Sequence, residues 1–230
     1  QKENGGCTPV GTAPCGEPRP ERRKIMSTRK GIQTFFSLPL DFSLLELEPG
    51  TGADPVRYFC TPENAEIIGW GSCGTHFVLL PGDEGVYCVE PELAGEGTFV
   101  LPVGADFREF LSHVLYCKGT SPLAQIFLMD EARFRKLLAD NDANTWLGCE
   151  EDFKRRDASL ALLAETFHIQ PRDPFRRVKE LQAAFAPSVL KFSDEYYDTL
   201  GLEKPKGRKA QQRKPLFTFE PVEFRMKKES

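Results

Sequence analysis

The sequence predicts an α+β protein, and two observations carry that reading. Between residues 57 and 103, short apolar runs rich in Val, Phe and Tyr alternate with clusters of Gly, Pro and acidic residues, the pattern of paired strands. From Asp106 onward the period changes. Apolar residues recur three and four positions apart, which places them on one face of successive helices.

The apolar runs fall at 58–60, 75–80, 86–89 and 98–103. Pro81-Gly82-Asp83-Glu84-Gly85 ends the second run, and its two glycines suit a longer hairpin loop. Glu90-Pro91 ends the third. Thr61-Pro62 leads from the first run to Ile67-Ile68-Gly69-Trp70-Gly71. Residues 69–74 carry three glycines around Trp70 and Cys73. They form neither a dinucleotide fingerprint opening a helix nor a phosphate loop with its lysine. The reading is a turn that needs positive backbone torsions.

The first helix after the strands opens with Asp106 as cap and Glu109 three positions on, a capping box. Phe107, Phe110, Leu111, Val114 and Leu115 form its apolar face, which is expected to lie across the sheet. Gly119 is the expected stop. Ser121-Pro122 opens another helix, with Leu123, Ile126 and Phe127 inward. Asp130 caps a third, with Phe134, Leu137 and Leu138 inward. Two more amphipathic helices are expected over 158–168 and 174–185, the second introduced by Asp173-Pro174. Residues 140–157, around Trp146, read as polar.

Residues 1–24 hold Gly, Pro and charge without apolar periodicity, so the predicted organisation begins with a disordered segment over 1–31. Met26 is either the natural start or part of a genuine tail. A single domain follows over 32–200, ending in a helical extension. Its lead-in, 32–48, is dense in aromatics and leucine, and Pro39 forbids one continuous helix there. Residues 201–230 form the third part. Its basic stretch, 204–214, reads as a solvated linker or a patch for an acidic partner, and the alternating pattern near 216–224 suits an edge strand or a docking segment.

Composition narrows the function classes. The 230 residues are 40% hydrophobic and 28% charged, as expected of a globular protein. No run approaches a bilayer span and no signal-peptide core is evident, so the expected location is cytoplasmic. A net charge of -4 argues against a general nucleic-acid binder. Seven cysteines, an odd number without a Cys-x-x-Cys pair, point to reduced thiols rather than a disulfide framework or a metal site. No cofactor is expected.

With these elements in order, residues 57 to about 139 resemble the SMI1/KNR4 family of the SUKH superfamily. Four stretches carry the resemblance. They are Ile68-Gly69-Trp70-Gly71 leading into Gly74-Thr75-His76-Phe77; Val86-Tyr87-Cys88-Val89-Glu90-Pro91; Val100-Leu101-Pro102-Val103 running into Asp106-Phe107-Arg108-Glu109-Phe110-Leu111; and the pair from Pro122-Leu123-Ala124-Gln125-Ile126 to Phe134. The match covers somewhat over a third of the chain. It implies a mixed, mostly antiparallel sheet packed by helices, and a non-enzymatic binding role. Bacterial members of the superfamily are largely immunity proteins that neutralise a cognate toxin, often a nuclease or deaminase. Fungal members act as regulatory scaffolds. The family offers no catalytic residue to carry over.

A toxin that handles nucleic acid binds phosphate through Lys and Arg. Its inhibitor would gain from carboxylates, so Asp83, Glu84, Glu90, Glu92 and Glu96 are the candidate partner-binding residues, with Trp70 and Tyr87 as aromatic anchors. The competing readings are ordinary loop solvation for the acids and core packing for the rings, including neighbouring Phe99. A third class is a small hydrolase using Cys73 with His76 as base. His113 reads as a hydrogen-bonded helix residue. His168 ends a predicted helix, where the dipole favours a cation.

Overall fold

The computed structural model describes residues 27–50, 57–96, 98–143 and 149–205. Five strands form one antiparallel sheet in the order β1 (Glu48–Pro49), β2 (Glu66–Trp70), β3 (His76–Leu79), β4 (Val86–Val89) and β5 (Val100–Gly104). Each strand pairs with its sequence neighbour, so the sheet is a meander that needs no crossover. Seven α-helices are present among the described residues: α1 (Thr28–Ser37), α2 (Phe107–Cys117), α3 (Ser121–Gln125), α4 (Glu131–Ala143), α5 (Glu150–Phe167), α6 (Phe175–Ala184) and α7 (Asp194–Leu200). The α+β class read from the sequence is what the chain adopts. Met26, Trp146, most of the basic stretch 204–214 and the 216–224 pattern lie outside the described residues.

The strands are apolar without alternation because both faces of the sheet are covered. Phe77 pairs with Cys88 and Leu79 with Val86, and these four side chains face the helical core built from α1, α2, α5 and α6. Val78 pairs with Tyr87 and Val89 with Val100, and these point the other way. That second face is closed by the 57–65 segment and by the chain from Phe185 to Leu200. Phe192 stacks on Tyr196 at 4.0 Å, Tyr196 meets Phe59 and Phe99, and Phe185 packs on Tyr87.

Two sequence expectations are corrected here. Residues 58–60 are not a strand. Thr61 N–H returns to Tyr58 O (2.9 Å), and the Arg57 guanidinium donates to Pro62 O and Ala65 O, so this backbone closes on itself as a turn. The strand role passes to Glu66–Trp70, with β1 as an unforeseen short edge beside it. The ordered chain also begins before residue 32. The β3–β4 loop supplies α1 with a cap, the Glu84 carboxylate accepting the Thr28 N–H (2.9 Å) while Thr28 Oγ1 donates to Glu84 O.

The helix boundaries largely follow their local chemistry. Asp106 accepts Glu109 N–H at 2.7 Å, and Glu109 accepts in return from Ala105 N–H, one residue before the cap. Asp106→Ala is expected to cost about 1 kcal/mol, seen as a lower urea midpoint with unchanged slope, and Asp106→Ser should recover most of it. The stop of α2 is Lys118 (φ 59), not Gly119. Gly119 is needed for close approach instead, since a Cβ there would stand 3.3 Å from Glu46 Oε2. Asp130 caps α4 through Arg133 N–H, and Asp173 accepts Phe175 N–H at the start of α6. Ser121 is the first residue of α3 rather than its cap. α5 starts at Glu150, eight residues before the expected 158, because Glu150, Glu151 and Asp152 favour a first helical turn as charges rather than as apolar positions.

Candidate functional site

Several of the acidic side chains expected to meet a partner also bond their own loops. Asp83 accepts from Gly85 N–H (2.8 Å) and from the Tyr87 hydroxyl (2.5 Å). Hydrogen bonding from Thr28 holds the Glu84 carboxylate below its ordinary range. Glu90 accepts the Thr75 hydroxyl (2.6 Å) and Glu92 N–H. Three of these carboxylates therefore shape loops and a helix end. Glu92 is exposed, and the Glu96 side chain is outside the described ones. Tyr87 is 7% exposed, wedged between Asp83 and Phe185, so it is a core residue and not a surface anchor. Trp70 is half-buried, its ring packed against His76 at 4.7 Å and Tyr58 at 6.0 Å.

The Cys73 and His76 arrangement does not form a nucleophile and base. Gly74 O, an acceptor only, takes the His76 Nδ1 proton (2.8 Å), which leaves Nε2 to accept the Thr61 hydroxyl (2.9 Å). Both ring nitrogens are thus occupied inside the core, and burial pushes the imidazole down to about 4. Cys73 sits exposed in the tight turn that follows Trp70, with φ 54, and Gly74 follows with φ 83. The positive torsions expected of residues 69–74 are therefore present at two positions. Gly74 is also required sterically, since a Cβ would stand 2.5 Å from Tyr58 Oη. His113 donates from Nδ1 to Val103 O (2.9 Å) and burial lowers its pKa as well. Burial pushes the Cys60 thiol up to about 12 and raises Cys88 and Cys117, so these three behave as small apolar groups. Among the described residues no group of His, Cys, Asp and Glu is placed to hold a metal ion.

Two grooves remain. One lies at the start of α2 and holds Arg108, Arg172 and Arg177 with Asp106 and Glu109. Its charges are largely spent within it. Arg177 pairs with Glu109 (3.0 Å), Arg108 donates to His168 O (2.5 Å) and Asp106 caps α2.

The other, of about 490 Å³, lies at the β1 edge of the sheet. Glu46, Glu48, Trp70, Ser72, Gln125 and Asn141 are among the residues that line it. Its charge is one-sided: among the described residues lining it there is no lysine, arginine or histidine. Glu48 and Trp70 are directly paired across β1 and β2, which sets their side chains as cross-strand neighbours. Glu46 is fixed more tightly. It holds a left-handed backbone (φ 54) at the end of a 3-10 turn, and Thr120 Oγ1 donates to its carbonyl (2.6 Å). Ser121 N–H donates to its Oε2 (3.1 Å), while Oε1 takes no bond from the described residues. Burial raises the pKa of this carboxyl, partly offset by the Ser121 N–H. A partly desolvated carboxylate in an uncommon backbone state, on a groove whose described lining holds no cation, makes Glu46 a candidate binding residue.

Sequence reasoning found Trp70 and missed both glutamates. Glu46-Leu47-Glu48 reads as the tail of an aromatic lead-in, and only the β1–β2 pairing, invisible as a two-residue strand, brings it to Trp70. Among the described residues no helix is long and apolar enough to cross a membrane. Comparison of the chain with family models, with curated proteins and with solved structures finds no match.

Proposed function

We propose that this chain is a non-enzymatic, cytoplasmic protein-binding domain of the SMI1/KNR4 kind, a bacterial immunity protein whose partner is a cognate toxin. The observation that carries the reading is the groove beside Trp70, an open concavity with one half-buried aromatic and two carboxylates. Interface anchors of this type dominate binding energy in protein complexes. The reading gains support from the buried histidines, which are committed to structural hydrogen bonds. The resembling stretches fall at the β2–β3 connection, at β4, at the β5–α2 junction and across α3 and α4.

The test is co-expression with the product of the gene immediately upstream, followed by pull-down and a growth-rescue assay. Stable capture with rescue is the expected result. A well-folded chain that neither captures nor rescues would move the assignment to a regulatory scaffold of the same fold.

A further inference from the structure

We propose that the groove between β1, α3 and α4 is a receptor for one cationic side chain, an arginine presented by a protein partner, held by the carboxylates of Glu46 and Glu48 with the Trp70 ring as its apolar wall. The proposal deepens the protein-binding reading and rests on it for the source of the arginine.

Four features of the groove favour a guanidinium over other occupants. First, the described residues that line the groove include two carboxylates and no cation, so this lining is net negative. Second, Glu46 already spends Oε2 on the backbone of Ser121, which fixes the carboxylate before any ligand arrives and leaves Oε1 to accept a further donor. A fixed acceptor costs less ordering on binding than a free one. Third, the half-buried Trp70, packed against His76 and Tyr58, is one of the residues that line the groove. Arginine stacks on such a ring and hydrogen-bonds in its own plane at the same time, which a compact ammonium does less well. Fourth, the remaining polar lining of Ser72, Gln125 and Asn141 supplies side-chain oxygens that can accept the fork's outer N–H groups. An anionic ligand would meet two like charges here. A neutral one would leave the partly desolvated Glu46 uncompensated.

The groove's carboxylates differ from those of the acidic loops in how much of the protein they bond. Asp83, Glu84 and Glu90 bond the protein's own Tyr87, Thr28 and Thr75, whereas the carboxylates beside Trp70 bond little of the chain.

The chain has two tryptophans, Trp70 and Trp146, so Trp146→Phe isolates the fluorescence of the ring at the site. The experiment titrates that full-length variant with N-acetyl-arginine amide and, in parallel, with N-acetyl-citrulline amide, its uncharged isostere. The expected result is a saturable change with the arginine compound and a response at least about tenfold weaker with citrulline. Glu46→Gln in the same background should weaken arginine binding by about tenfold or more, the worth of one hydrogen bond to a charged group. Glu48→Gln, whose residue is exposed, provides a second reading if Glu46→Gln unfolds, and should give a smaller loss of the same sign.

Equal responses to the two compounds, no saturable response, or undiminished arginine binding in folded Glu46→Gln and Glu48→Gln would each overturn the proposal. The pull-down with the upstream gene product is scored separately. Partner capture without arginine binding rejects the groove and keeps the protein-binding reading. Arginine binding without any partner does the reverse.

Discussion

Phe110→Ala is expected to remove about 3–5 kcal/mol of stability, the usual loss when a fully buried phenylalanine is cut to alanine. Phe110 is 0% exposed and sits where the sheet meets the helices. Its ring lies 5.2 Å from Phe77 of β3 and 5.9 Å from Phe107 of α2. The site has little room to collapse into the vacated space. Gly104, at the end of β5, already brings its backbone so close that an added Cβ would stand 2.9 Å from both the Cβ and the backbone N of Phe110. Strand and helix are therefore held apart by the phenylalanine and together by the glycine. Domains of this kind hold about 5–15 kcal/mol in all, so the variant should lose a large share of its folded margin. Val189→Ala, at a side chain 66% exposed, should change stability by less than about 0.5 kcal/mol and serves as the control. Urea unfolding of both variants measures the difference. A loss under about 1 kcal/mol in Phe110→Ala would show that α2 can settle onto the sheet without it.

Acidification is expected to destabilise the protein well before its carboxylates titrate. His76 is sealed in the core, and burial takes its pKa from the ordinary 6.5 down to about 4. The unfolded chain therefore binds a proton that the folded chain refuses. The stabilisation is complete above pH 6.5 and is lost as pH falls from there to about 4. At about 1.36 kcal/mol per pH unit, the full span is worth on the order of 3 kcal/mol. His113, also lowered by burial, acts in the same direction. Glu109 and Asp173 are lowered too, chiefly by their hydrogen bonds against the cost of burial, but they act below the ordinary carboxylate pKa and so in a more acidic window. The measurement is the urea midpoint at about pH 7.5 and about pH 4.5, for the parent chain and for His76→Gln. The parent should lose roughly 2–3 kcal/mol over that interval and the variant distinctly less. Equal losses in the two proteins would show that His76 takes up its proton in the folded state at an ordinary pH.

What the sequence discloses about this fold follows from how local each signal is. Asp106 and Glu109 stand three residues apart, and their capping requires nothing beyond that turn, so the start of α2 is legible. The stop at Lys118 is not, because Gly119 offers the same local excuse and the choice is made by Glu46 and Leu45 from across the fold. The continuous apolar runs of β3 and β4 identify strands but leave silent what covers their second face. That answer lies about a hundred residues away, at Phe192 and Tyr196. The groove was half-legible for the same reason. Trp70 advertises itself by its size between glycines, while Glu46 and Glu48 acquire meaning only through a two-residue strand pairing. The internal hydrogen bonds of the acidic loop residues were not legible, because a carboxylate in a loop reads identically whether it faces solvent or takes its own chain's hydroxyls.

The two-sided cover of the sheet has a consequence for how the molecule is made. Synthesis delivers the meander whole by Gly104, and α2 can roof one face almost at once. The other face has only the 57–65 segment over it until Phe185, Phe192 and Tyr196 have followed. For the time it takes to translate that interval, Val78, Val89 and Val100 form an apolar sheet surface with no native cover from the chain beyond β5. A nascent chain halted after α6 would present that surface indefinitely, and would be a substrate for chaperones rather than a smaller version of the finished domain.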